Sequence, residues 1–111
     1  MHMSQEIEIE HQDLKHRFVL EVDGVEAELT YQRKGEVIVF DHTAVPPAIQ
    51  HRGLADRLAA TALEYAREQN LQVDPQCRFM AVYIERHKQY QDLLRKPTES
   101  HTPRPLAGGT R

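Results

Sequence analysis

Three side chains with nucleophilic or acid–base chemistry fall in one short stretch: Cys77, Tyr83 and His87. Cys77 is the only cysteine and stands two residues after Pro75, at the expected start of a helix. Unpaired amides and the helix dipole there favour a thiolate over a thiol. Tyr83 carries an exchangeable phenolic proton, and His87, four residues further on, lies on nearly the same helical face, where it can serve as a base. Each has a plainer reading. Cys77 suits a small apolar residue packed at a strand-to-helix junction, Tyr83 a core aromatic, and His87 a solvated surface histidine.

A second segment points to phosphate. Gln50-His51-Arg52-Gly53-Leu54-Ala55 lies between an expected strand and an expected helix. The first amides of a helix have no partner within it, and the peptide dipoles place partial positive charge there. Gly53 lets backbone approach a phosphate closely, and small Ala55 keeps the next turn open. Arg52 and His51 can add side-chain contacts, arginine being the better phosphate partner. His42 follows an apolar run and by parity shares a side with Phe40, which suits a hydrogen-bonded structural histidine or one at the edge of a ligand. The other histidines are scattered without ligand spacing, so no metal site is expected.

These residues need elements to hold them. Phe18, Leu20 and Val22 alternate up to Asp23-Gly24, a strong hairpin signal that pairs Val22 with Val25 and sets Ala27, Leu29 and Tyr31 on the same face. A turn at Lys34-Gly35 leads into Glu36 to Thr43, whose unbroken apolar run predicts a strand covered on both faces. Residues 17–43 thus read as a three-stranded meander, its last strand inside the finished sheet. Val45-Pro46-Pro47 ends that strand, since neither proline donates to a ladder. Leu54, Leu58, Ala62 and Tyr65 then recur at helical spacing, predicting a helix from near Arg52 to Gln69 with Asn70 as a left-handed stop. Leu71 and Val73 form a short strand closed by Pro75, and strand, helix, strand implies a right-handed crossover with a parallel pair. A last helix is expected from about Arg78 to Leu94, with Phe79, Val82, Tyr83 and Tyr90 as its apolar stripe.

The fold class is therefore mixed α+β in a single domain, as a chain of 111 residues allows. Residues 1–16 read as an N-terminal extension, in which Met1-His2 suits a cloning remnant, and 97–111 as a disordered tail. A net charge of -3 with interspersed signs argues against nucleic acid as a partner. One cysteine excludes an internal disulfide and fits a reducing cytoplasm. No run approaches the roughly 18 apolar residues of a spanning helix, so no membrane association is expected.

The loop Gln50 to Ala55 resembles the Gln/Arg-x-x-Gly-x-Gly/Ala motif of the GNAT superfamily of N-acetyltransferases, which cradles the pyrophosphate of acetyl-CoA. His42-Thr43-Ala44-Val45-Pro46-Pro47 before it, and Pro75-Gln76-Cys77-Arg78-Phe79 with Tyr83-Ile84 and His87 after it, are similar to the small single-domain subgroup. The likeness covers roughly Arg17 to Leu94. Ala55 replaces the commoner glycine, and Lys88 follows His87 where the subgroup often has proline. The resemblance implies a mostly antiparallel sheet and acetyl-CoA or coenzyme A as ligand. It places Gln50 to Ala55 on the phosphates, and Thr43, Ala44 and Val45 beside the pantetheine, with His42 at the edge of that site. The acetyl group then passes to an amine on a small molecule or protein, either directly or through Cys77 as a covalent intermediate, and Tyr83 protonates the departing sulfur. Two other functions fit the same residues: a non-catalytic CoA or acyl-CoA binding module acting through a protein partner, and a structural domain with a fortuitous loop. Oligomeric state is not legible.

Overall fold

A computed structural model describes residues 7–95, so the expectations for Met1-His2 and for the tail 97–111 lie outside the described residues. Five strands form one sheet in chain order, β1 (Glu10–Gln12), β2 (Arg17–Val22), β3 (Val25–Lys34), β4 (Val37–Ala44) and β5 (Gln72–Pro75). Only β4 and β5 run parallel, joined by helix α1 (Leu54–Glu68), and helix α2 (Arg78–Arg86) follows. The mixed, mostly antiparallel sheet and its crossover are those expected.

The hairpin forms where the local chemistry demands it. Asp23 (φ 54°) and Gly24 (φ 78°) both take positive φ, which aspartate tolerates and glycine favours, and Val22 pairs with Val25. That register sets Phe18 opposite Leu29 and Leu20 opposite Ala27, all buried. Asn70 (φ 59°) stops α1 as anticipated, with the Leu71 amide donating to the Ala66 carbonyl at 2.9 Å. Small Ala59, Ala62 and Ala66 alternate with Leu54, Leu58 and Leu63 on the buried side of α1, letting the helix lie close to the sheet.

Four expectations need correction. The segment ahead of Arg17 contributes β1, which pairs His11 with Phe18, and Ile7 and Ile9 pack against the core. Second, β4 is covered on both faces only from Ile38 to Phe40, where all three residues are buried, and both helices pack on one of those faces. The buried residues of both helices join one continuous core with Ile38 and Phe40, whereas Val39 and Val19 are buried outside it. Those two valines sit across the ladder from Gln32 and Glu28, on the opposite face. Third, α1 begins at Leu54, because Pro47–Arg52 winds as a 3-10 turn first.

Fourth, the last helix is two pieces. His87 (φ −125°, ψ 90°) leaves the helical path and a 3-10 stretch runs from Lys88 to Leu93. Side chains take the carbonyls that another helical turn would have used. His87 Nδ1–H donates to the Tyr83 carbonyl at 2.8 Å, and Gln91 Nε2 donates to those of Ile84 and Glu85. The break turns Tyr90 and Leu93 into the core, and the buried residues of α2 are Met80, Tyr83 and Ile84 rather than Phe79 and Val82. The chain then returns to the sheet, where the Arg95 amide donates to the Val73 carbonyl at 2.8 Å.

Between β1 and α1, the His11 ring stacks on Phe18 at 4.3 Å and meets Tyr65 edge-on at 4.5 Å. Burial lowers its pKa, outweighing the Asp13 carboxylate, which acts in the other direction. The unfolded chain binds this proton near the ordinary 6.5 and the folded state binds it more weakly, so stability rises with pH. Acidification from about pH 7 to about pH 5 is expected to lower the urea midpoint more steeply for the native chain than for His11→Gln, which does not titrate. Parallel curves for the two proteins would show that His11 is not the group responsible.

Candidate functional site

Pairing between β4 and β5 ends at Phe40 and Pro75. The amides of Gln76 and Cys77 then both donate to the Phe40 carbonyl, at 3.0 and 2.9 Å, turning the chain out of the sheet and into α2. Beyond Phe40, β4 keeps its partner β3 on one side only. A slot of backbone thus opens between Asp41–Ala44 and the start of α2.

A bulge decides what faces this slot. Tyr31 pairs with Phe40 but Thr30 pairs with His42, which leaves Asp41 as the extra residue. Thr30 Oγ1 donates to one Asp41 carboxylate oxygen at 2.6 Å and Gln32 Nε2 to the other at 3.1 Å, holding the bulge in place. Parity inverts across it. His42 moves to the face of Thr30 and is exposed, so the expectation that it shares a side with Phe40 is wrong. Thr43, opposite Leu29, is brought to the helix-covered side.

There Thr43 Oγ1 lies 3.2 Å from Cys77 Sγ, in a hydrogen bond in which either can donate. Cys77 is half-buried at the N-cap of α2, in extended conformation (φ −81°, ψ 130°). Thr43, Val45, Gln50, Ala55 and Phe79 line a hollow of about 330 Å³ beside this pair.

The turn before α1 is held from within. Ile49 is buried, its amide donates to the Pro46 carbonyl at 3.0 Å, and Gln50 Nε2 donates to the Val45 carbonyl at 3.0 Å. The side chain of Gln50 thus ties the turn to the strand end, and Leu54, being buried, offers a ligand only its backbone. His51 and Arg52 belong to the same turn. Gly53 closes the turn in left-handed conformation (φ 67°, ψ 23°) and no side chain caps the helix that follows. The Arg57 amide donates to the Gly53 carbonyl at 3.3 Å, the first bond of α1, so the amides of Leu54, Ala55 and Asp56 precede any helical partner. A Cβ at Gly53 would meet nothing within 4 Å, so the space beside this glycine, just ahead of these amides, is open. Free amides behind an unobstructed glycine suit a diphosphate.

Tyr83 is 8% exposed, and among the described residues no hydrogen bond engages its hydroxyl. Burial raises its pKa, as does the Asp56 carboxylate in the first turn of α1. A phenol sensing Asp56 lies near the helix start that carries the free amides. The Tyr83 ring stacks on His87 at 3.9 Å, so His87 is half-buried rather than solvated. Since a carbonyl only accepts, His87 Nδ1 carries a proton, and in the neutral ring this fixes Nε2 as the acceptor. No hydrogen bond joins the Cys77 thiol to Tyr83 or His87, so the three are not a triad. The structure pairs Cys77 with Thr43, and Tyr83 with His87. Sequence reasoning missed the Thr43–Cys77 contact, which depends on the bulge, and the parts of Asp56 and Phe79, whose only signal was proximity to the loop and to Cys77.

A sheet whose fourth and fifth strands part beyond Phe40, a helix that starts behind a left-handed glycine, and a single crossover define the mixed α+β fold of an N-acetyltransferase. The family model described as GCN5-related N-acetyl-transferase matches residues 17–93, and the chain belongs to that family. It is similar to Protein NATD1 of Homo sapiens, with 33% identity over 92 residues covering 80% of this chain and 81% of that one. Protein NATD1 of Gallus gallus is 33% identical over 81 residues, covering 70% of this chain and 74% of the relative. The solution NMR structure of a GCN5-like protein from Staphylococcus aureus superposes with a TM-score of 0.65 at 28% identity, covering 85% of this chain and 93% of that one. Among the described residues no group of histidine, cysteine, aspartate and glutamate side chains is placed to hold a metal, and no helix is long and apolar enough to cross a membrane.

Proposed function

We propose that the protein transfers an acetyl group from acetyl-CoA to an amine by way of Cys77. The observation that carries this is the Cys77 thiol, half-buried and hydrogen-bonded to Thr43, which with Ala55 of the first turn of α1 lines the adjoining hollow. The diphosphate is held by the amides of Leu54 to Asp56 just after Gly53, with His51 and Arg52 on the adjoining turn. The pantetheine lies along Thr43, Ala44 and Val45. The Cys77 thiolate attacks the acetyl carbon, a new sulfur–carbon bond forms as the bond to the CoA sulfur breaks, and the Tyr83 phenol supplies the proton to the departing thiolate. The acceptor amine then takes the acetyl group from Cys77, which leaves as a thiolate. The amine's surplus proton restores the phenol, so the cycle is balanced. His87, stacked on Tyr83, orients the phenol and presents Nε2 on that side.

A second reading is favoured by one observation: no base touches the Cys77 thiol, whose hydrogen-bond partner is Thr43. On that reading the chain is a non-catalytic acyl-CoA-binding module acting through a protein partner.

Both readings need the phosphate site. Acetyl-CoA at about 100 times its dissociation constant is expected to stabilise the fold by roughly 2.7 kcal/mol, and the absence of a thermal shift would remove both. Gly53→Val places a β-branched side chain at φ 67° and in the open space beside the helix start. Calorimetric titration is expected to show acetyl-CoA affinity lowered by about tenfold or more, with the fold retained at a cost of about 1–3 kcal/mol in strain. Undiminished affinity in this variant would mean that the phosphates sit elsewhere.

A further inference from the structure

A hollow of about 440 Å³ lies between α1 and the β1 edge. Its walls are the rings of His11, Phe18 and Tyr65, and its rim carries the carboxylates of Glu64 and Glu68. It draws on the second half of α1, where Thr61 to Glu68 begin roughly 9 Å along the axis from Ala55, so it is separate from the acyl-transfer hollow.

The chemistry of these walls is one-sided. His11 is packed face-on against Phe18, and burial disfavours its charged form, so this ring adds no positive charge to the cavity. Its Nε2 shares a hydrogen bond with the Tyr31 hydroxyl at 2.5 Å, which fixes the imidazole plane. Glu64 is oriented by the Tyr90 hydroxyl, which donates to Oε2 at 3.0 Å and leaves Oε1 uncommitted. Glu68 is exposed and meets no cation among the described residues. Arg67 is paired with Asp92 and also senses the Glu64 carboxylate, so Glu64 is partly neutralised and Glu68 is the less compensated of the two. Arg57 stands beyond Ala60 and Thr61 in an adjoining hollow with Ile7 and Ile9, so the negative end of the groove is the Glu64–Glu68 end.

Aromatic faces attract a cation through their quadrupole, and carboxylates at the rim complete the charge match. We propose that this hollow is a second ligand site, taking an organic ammonium ion whose apolar body lies against the half-buried rings of Tyr65 and His11, over the buried Phe18, and whose charge is met by Glu64 and Glu68. It is independent of acetyl transfer at Cys77 and stands whether or not that reaction occurs.

The test is an NMR titration of the full chain with phenethylammonium, and in parallel with its neutral counterpart 2-phenylethanol. The ammonium is expected to shift the amide resonances of Thr61, Tyr65 and Glu68 with affinity on the order of millimolar, and the alcohol to bind at least about tenfold more weakly. Glu68→Gln keeps the side-chain shape of an exposed residue and is expected to weaken the ammonium by about tenfold, and Tyr65→Leu to weaken it while preserving apolar bulk. Equal binding of ammonium and alcohol would overturn the proposal. So would shifts centred on Thr43 and Cys77, or an unchanged affinity in Glu68→Gln.

Discussion

Cys77→Ser is expected to lower acetyl transfer by about a thousandfold while leaving acetyl-CoA affinity within about twofold of the native value. Serine keeps a hydrogen-bonding atom within reach of Thr43, and the N-cap position welcomes it, so the fold has no reason to suffer. What is lost is the acidity that makes a thiol a nucleophile near neutral pH, since an alcohol needs an adjacent base and none contacts this position. Intact mass spectrometry after exposure to acetyl-CoA without acceptor is expected to show one acetyl group on the native protein and none on the variant. Native turnover in Cys77→Ser would restrict the protein to direct transfer onto the amine.

Tyr83→Phe separates catalysis from packing. The phenol is buried with its hydroxyl unengaged among the described residues, so the oxygen is a desolvated polar atom with no bond to lose. Removing such an atom is expected to leave thermal stability unchanged or slightly raised, because no hydrogen bond is broken. Turnover is expected to fall by about a hundredfold, the usual share of a positioned acid. Burial, reinforced by Asp56, moves the Tyr83 pKa above its ordinary 10.0, so the proton is in place throughout the neutral range. The native rate should therefore show no alkaline loss assignable to this phenol until the medium passes that value. A variant that loses stability but keeps its rate would make Tyr83 a core residue and nothing more.

The two substitutions also sort the proposed readings. A binding module would keep its acetyl-CoA affinity in both variants and never carry acetyl on Cys77. An enzyme that works through Cys77 would lose rate in both for different reasons, one at the nucleophile and one at the leaving group, whereas direct transfer would lose rate in Tyr83→Phe alone.

Much of the fold was legible because its signals are local. Asp23-Gly24 announces a turn whose central residues need positive φ, and the alternation on either side fixes the register. The apolar spacing from Leu54 to Ala66 and the stop at Asn70 describe α1 within the reach of a few residues. The proline pair and the glycine at 53 mark the loop between strand and helix, and its free amides follow from helix geometry alone. Cys77 at a helix start was readable for the same reason.

Other features depend on partners distant in the chain. β1 exists because Ile7, Ile9 and His11 find Phe18 and the core, a segment too short to reveal itself by its own pattern. His87 breaks the last helix because its ring and Gln91 capture carbonyls of the preceding turn, which helical periodicity does not register.

From the residues alone came the order of elements, the glycine turn at Gly53 and the identity of the one thiol, all set by short-range backbone preference and side-chain type. Only the tertiary structure decided which of these face one another. The extra residue at Asp41, held by Thr30 and Gln32, sends His42 out to solvent and brings Thr43 to the thiol of Cys77. A one-residue slip in a strand exchanges its two faces, and a bulge is fixed by bonds from the neighbouring strand, so the order of residues along β4 does not by itself say which of them reaches the site.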